Sequence, residues 1–459
     1  MPLPSLAPAG AVPAPALAAP PRAAMTTGPV ASTLFFLTLP MVGGVLATIG
    51  YSVAETWFIG RLGAQALGAV AFTFPVTMVV ISLAIGLGAG TSAMVARALG
   101  AGEPDAKCLV VDGLLVAALL GGTAALVGEL FMGPLFRAMG APDALMPLIR
   151  SYLTVWFPAA ALFMASIVGL SAARAAGDAR FQGLAMAGAA GINALLVGPM
   201  IFGIGPLPGL GLRGAAVANI LAWSALLAAT LWRLRSLGLL AGLPTPARFA
   251  ASAARIGRVG VPAAATNTII PVSAGVVTAI LATHGAEAVA GFGVAGRVES
   301  LAMVAPFALS AIMNPFAGQN AGAGRLDRMR EALRVSVLFC LAYGAALAVA
   351  LWFAAPAVAR LFTADPAVQQ TVVWYLHIVP LSFGAAGIIA VVNSAFNGLN
   401  RPGAAVVVSV ARMLVVNVPV AWLGGQLFGA PGVFLGVCVA NILVGAGAVW
   451  WVWRMTADR

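Results

Sequence analysis

The stretch PMVGGVLATIGYSVAETWFIGRLGAQALGAVAF (40–72), followed by a Gly-rich apolar run ending in RALGAGEPDAK (97–107), decides how this chain folds. It places one carboxylate, Glu55, inside an apolar segment long enough to cross a bilayer. It also recurs, from Pro262 to Gly324. The surrounding composition fits that reading. Of 459 residues, 61% are hydrophobic and 8% charged, whereas a soluble domain carries about 25% charged residues. Lipid must therefore be the solvent. The formal net charge of +11 would suggest nucleic acid in a soluble protein. Here the arginines sit in short loops between apolar runs, where they set membrane orientation and imply no nucleic-acid partner.

A bilayer core about 30 Å thick needs roughly 20 apolar residues per helix. That ruler predicts twelve spans: 33–59, 66–96, 109–134, 148–173, 183–205, 213–235, 259–283, 290–318, 332–357, 370–396, 404–426 and 432–453. None alternates like a lipid-facing barrel strand, so the expected fold is an all-α bundle. Seventeen Lys/Arg fall at the termini and in the even-to-odd loops, against five (Arg61, Arg137, Arg150, Arg213, Arg360) on the other side. Both termini are therefore expected in the cytoplasm and the chain in the cell (inner) membrane.

Repetition divides the chain. LGAQALGAVAF (62–72) matches HGAEAVAGFGV (284–294), Tyr152-Leu153 matches Tyr375-Leu376, and Ala-Asn-Ile-Leu occurs at 218–221 and 440–443. Each copy holds six spans, an even number, so both enter the membrane from one side. They form a parallel repeat, an arrangement that places substrate cavities where the halves meet. The expected division is an Ala/Pro-rich leader without fixed structure (1–32), an N-terminal lobe (33–235), a basic linker (236–258), a C-terminal lobe (259–453) and a tail (454–459). Met25 is a candidate start.

In their order along the chain, LP…AETWFIGRLG (39–63), AIGLGAGTSAMVARALGAG (84–102), GLSAARAAGDAR (169–180), NALLVGPMIFGIGPLPGLGLRGAAVAN (193–219), AVAGFGVAGRVESL (288–301), GQNAGAG (318–324) and FNGLNRPGAAVVVSVAR (396–412) resemble the multidrug and toxic compound extrusion (MATE) transporters. The likeness is nearest to the branch with an acidic residue in the first span. It implies a V-shaped pair of six-helix lobes, a monomer, and export of cationic or amphipathic organic compounds in exchange for H+ or Na+. Flipping of lipid-linked oligosaccharides, from the wider superfamily, is the alternative it leaves.

The residues themselves point to one main site. Thr48, Tyr51, Ser52 and Glu55 share a face of span 1. A charged side chain in a membrane segment costs from about 3 to more than 10 kcal/mol unless it finds water, a partner or a proton, so such residues mark ion pathways. The bland alternative is an interfacial Glu beside Arg61. The resemblance places an essential acid at the spacing that Glu55 has from Pro40. Pro40 breaks the backbone ladder and is a candidate hinge. Where many such relatives carry an Asp in span 5, this chain has Val197 and Gly198 before Pro199. Asn193 and Asn219 remain as neutral partners for Glu55.

In the C-terminal half, Glu299 is the only acid within a span. Arg297 lies on another face of the same helix, and Glu299 is expected to pair with an arginine on another helix, such as Arg412 in span 11; the alternative is a coupling or substrate site in this lobe. Gln319, in GQNAGAG, is a further candidate, or simply shapes a helix end. Asp112 and Glu129 are expected at the interface. Two histidines and three unpaired-looking cysteines give no metal cluster, disulfide framework or cofactor site, and no catalytic constellation is visible.

Overall fold

The computed structural model describes residues 24–205 and 207–457. Most of the leader thus lies outside the described residues. The helices are α1 (Val30–Gly60), α2 (Ala64–Gly100), α3 (Ala106–Ala138), α4 (Met146–Ala175), α5 (Ala179–Phe202), α6 (Leu212–Ser236), α7 (Pro246–Ala282), α8 (Ala286–Ala302), α9 (Val304–Gly322), α10 (Leu326–Phe362), α11 (Pro366–Ile378), α12 (Phe383–Gly398), α13 (Pro402–Val410), α14 (Asn417–Phe428) and α15 (Ala430–Ala457). A two-stranded hairpin, Gly203–Ile204 with Leu207–Pro208, joins α5 to α6. Eleven helical stretches are long and apolar enough to cross a membrane, and the bent pair α8 and α9 makes a twelfth.

Three spans are interrupted, and for two of them the sequence explains the break. α8 and α9 meet at 51°. Pro306 has no N–H to return to the Ala302 carbonyl, and the Tyr343 hydroxyl donates to that carbonyl instead, at 2.9 Å. The tenth span tightens to a 3-10 turn at Val379–Ser382, around Pro380. The eleventh loosens to a π-helix at Ala411–Val416, which carries Arg412. Such insertions re-aim side chains and recur at functional sites.

The two halves are packed together on the side that carries the termini. Residues 84–100 of α2 are almost continuously buried. Gly86 makes that approach possible: a Cβ there would sit 2.6 Å from the Gly260 carbonyl oxygen of α7. Small residues let membrane helices come together in this way. Toward the opposite side, α1 beyond Gly44 and α7 beyond Ala264 bury few residues. The V shape opens in that direction.

The segment ahead of α1 belongs to this closure. Met25 is fully buried. Its N–H donates to Gln319 Oε1 at 2.9 Å, and Asn320 donates to its carbonyl at 3.2 Å. Arg328 donates to the carbonyls of Thr27 (3.1 Å) and Gly28 (2.6 Å). Gln319 in turn donates to the Ala175 carbonyl at the end of α4, at 2.7 Å. The start of α1, the end of α4 and the α9–α10 turn thus form one clasp across both halves.

Three expectations differ, the first being the leader: expected to lack fixed structure through residue 32, it gives way to α1 at Val30, and Met25 is buried. Residues 246–258 are helical, because Thr245 caps and Pro246 opens α7. Asp112 is fully buried rather than interfacial. Arg248, folded back from the first turn of α7, pairs with it at 3.3 Å.

Candidate functional site

In the N-terminal half, α1, α5 and α6 each supply one polar side chain to a common point. Asn219 of α6 donates from Nδ2 to Glu55 Oε1 at 2.7 Å. Asn193 of α5 donates to Asn219 Oδ1 at 2.8 Å. Both asparagines are buried and Glu55 is half-buried. The hydrogen bonds run in one direction, Asn193 to Asn219 to Glu55, and end on an acceptor. Asn193 Oδ1 is buried with no partner. No Lys or Arg pairs with Glu55 among the described residues. Tyr51 and Tyr152 lie within electrostatic range of the carboxylate without hydrogen bonding to it. A carboxylate that keeps one face open beside neutral donors can exchange a proton or hold a cation.

Pro40 lies below this site in a helix that DOES NOT break there: α1 runs unbroken from Val30 to Gly60. Gly183 of α5 lets the Pro40 carbonyl pack directly against it.

The C-terminal half holds a second polar group, and it is not the one expected. Glu299 and Arg412 form no direct ion pair among the described residues. The Tyr375 hydroxyl of α11 donates to Glu299. Arg412 donates from Nε to Asn441 Oδ1 of α15 at 2.8 Å. Asn441 donates to Ser382 at 2.9 Å, and Ser382 to the Val379 carbonyl at 2.8 Å. Each charge has thus been taken by a neutral neighbour. Phe292, Tyr375 and Phe434 form an aromatic cluster beside Glu299, with centroids 5.1–6.4 Å apart.

Arg297 is exposed and joins neither group. Gln319 is fully buried in the clasp, about 30 Å of helix from Glu299 at 1.5 Å per residue, so it does not belong to this group. Sequence reasoning missed Tyr375, Ser382 and Asn441. Asn441 had a signal, the second copy of Ala-Asn-Ile-Leu.

Fold and site together define a helical membrane transporter built from two repeats. The chain belongs to the MATE family: the MatE family model matches residues 40–197 and again 262–423, beginning at the two prolines that open the repeat. It is 35% identical over 427 residues to a FAD transporter of Shewanella oneidensis, covering 92% of this chain and 94% of the relative. It is 26% identical to YoeA of Bacillus subtilis, described as a probable multidrug resistance protein, over 85% of this chain and 86% of the relative. The Vibrio cholerae MATE transporter VcmN, in its bent form, superposes with a TM-score of 0.89 at 30% identity, covering 93% of this chain and 97% of VcmN.

Proposed function

We propose that this protein is a secondary-active exporter that exchanges organic compounds for inward H+, with Glu55 as the coupling group. The observation that carries this reading is the directed chain from Asn193 through Asn219 to a half-buried carboxylate that no arginine neutralises. Two positive ligands, a proton and a cationic substrate, compete for that carboxylate. Protonation from outside cancels its charge and releases the substrate; loss of the proton to the cytoplasm restores it. The Asn219 bond to Oε1 leaves Oε2 for the proton. H+ is preferred over Na+ because one carboxylate suffices for a proton, and the neighbours supplied to Glu55 are amide donors.

The excess of Lys/Arg on the closed side makes that side cytoplasmic, so the cleft opens outward in this state. Pro40 serves as the hinge about which the upper part of α1 moves. Substrates are amphipathic and aromatic. The name of the Shewanella relative, a FAD transporter, supports including dinucleotides with the cations.

The test is efflux of a fluorescent cation from proteoliposomes under an imposed pH gradient and, separately, a Na+ gradient. Wild type should export on the pH gradient and Glu55→Gln should not. Full coupled transport by Glu55→Gln would remove Glu55 from the mechanism.

A further inference from the structure

We infer that the C-terminal lobe carries an anion subsite, built on Arg412 and oriented by Asn441, for the phosphate or carboxylate of an aromatic substrate. The inference deepens the export reading by adding a substrate class, and it rests on that reading.

The repeat supplies the argument. Asn219 and Asn441 occupy the same place in the two copies of Ala-Asn-Ile-Leu. In the N-terminal lobe the asparagine turns its amide nitrogen to a carboxylate. In the C-terminal lobe it turns its amide oxygen to a guanidinium. The chemistry forces both orientations. An ionised carboxylate only accepts hydrogen bonds, and an arginine only donates them. The Asn441 amide nitrogen is fixed from behind by Ser382, so its oxygen stays aimed at Arg412. One scaffold position thus holds opposite charges in the two lobes.

Arg412 is held through Nε alone. Its terminal N–H groups make no hydrogen bond to the described residues, and the side chain is half-buried. That is the planar fork that binds carboxylate and phosphate. Glu299 accepts from Tyr375 and lies within electrostatic range of Arg412, but makes no direct ion pair with it among the described residues, so the fork itself stays unoccupied. A guanidinium in a membrane span is costly, and the π-helical turn that places it interrupts an otherwise regular span. Behind it the floor is closed by buried Tyr375, Ser382 and Asn441. Phe292, half-buried and stacked on Phe434, packs against Tyr375, which is itself within electrostatic range of Arg412, and offers an aromatic surface on that side. Cation and ring together select an anionic aromatic compound.

The experiment measures binding, with no ion gradient, of FAD, FMN and riboflavin to the purified protein in phosphatidylcholine nanodiscs, by flavin fluorescence. Riboflavin has the same ring without phosphate. Wild type should prefer FAD and FMN over riboflavin by about tenfold or more, the size of one charge-assisted hydrogen bond. Arg412→Gln should bring the ratio close to one, and Arg412→Lys should keep part of it. A folding defect would weaken all three ligands together and leave the ratio standing, which counts against the subsite. An unchanged ratio in Arg412→Gln, or a wild type that binds no flavin or shows no preference, overturns it. Loss of the preference in phosphatidylglycerol discs would assign the fork to lipid headgroups and also overturn it. Because no gradient is applied, these outcomes are independent of whether Glu55 couples transport.

Discussion

The two lobes solve the same problem with opposite signs. Each buries an asparagine from the same repeated sequence against one charged side chain, Glu55 in one lobe and Arg412 in the other. Among the described residues neither charge forms a direct ion pair. A buried pair, once made, is strongly destabilised by losing one member, which makes it a poor place to receive a ligand. A charge held by a neutral amide is oriented without being neutralised. Duplication kept the asparagine as the holding element and left the held charge free to differ.

The largest expected effect tests the N-terminal lobe alone. Glu55→Gln should reduce pH-driven export to background while flavin binding keeps its preference for the phosphorylated forms. Next, Asn219→Leu should cut coupled export by about tenfold, because it leaves the carboxylate without its donor. Asn441→Leu, the same change in the other lobe, should leave the pH response in place and lower the FAD-to-riboflavin ratio. Identical effects from the two leucine variants would break the comparison. Asp112→Ala removes the buried member of an ion pair that lies in neither site and whose arginine is partly exposed; it should lower stability by about 1 kcal/mol or less, read by thermal unfolding in detergent, with flavin selectivity unchanged. Smallest is Pro40→Ala, which returns a backbone hydrogen bond to α1. A few-fold slower turnover with unchanged binding is the result expected of a hinge. An unchanged rate would make Pro40 a static element.

Much of this could be read in the sequence. Twelve spans and two copies follow from apolar length and repetition, and Glu55 from the cost of a lone carboxylate in lipid, while Asn193 and Asn219 come from the resemblance, as the polar residues left where many relatives carry an acid. The C-terminal group was harder. Opposite charges on neighbouring spans suggest a pair, and Glu299 with Arg412 is the obvious one. What the sequence does not display is that Tyr375 and Asn441 reach these charges first, or that a π-helical turn resets where Arg412 points. Arg328 was hidden for another reason. It counts as one more basic loop residue, yet it is buried, and apart from Asn320 Oδ1 its partners are main-chain oxygens, which no side-chain pattern reveals.

That last contact sets a rule for the segment from Met25 to Val30. Asn320 and Arg328 grip the carbonyls of Met25, Thr27 and Gly28, groups that nearly any residue would present in the same place. The grip therefore reads length more than it reads side chains. Met25 and Val30 are fixed separately by burial in the core and Gly28 by its positive φ, but a single residue inserted between them would move the carbonyls out of register and detach the first helix from the opposite lobe.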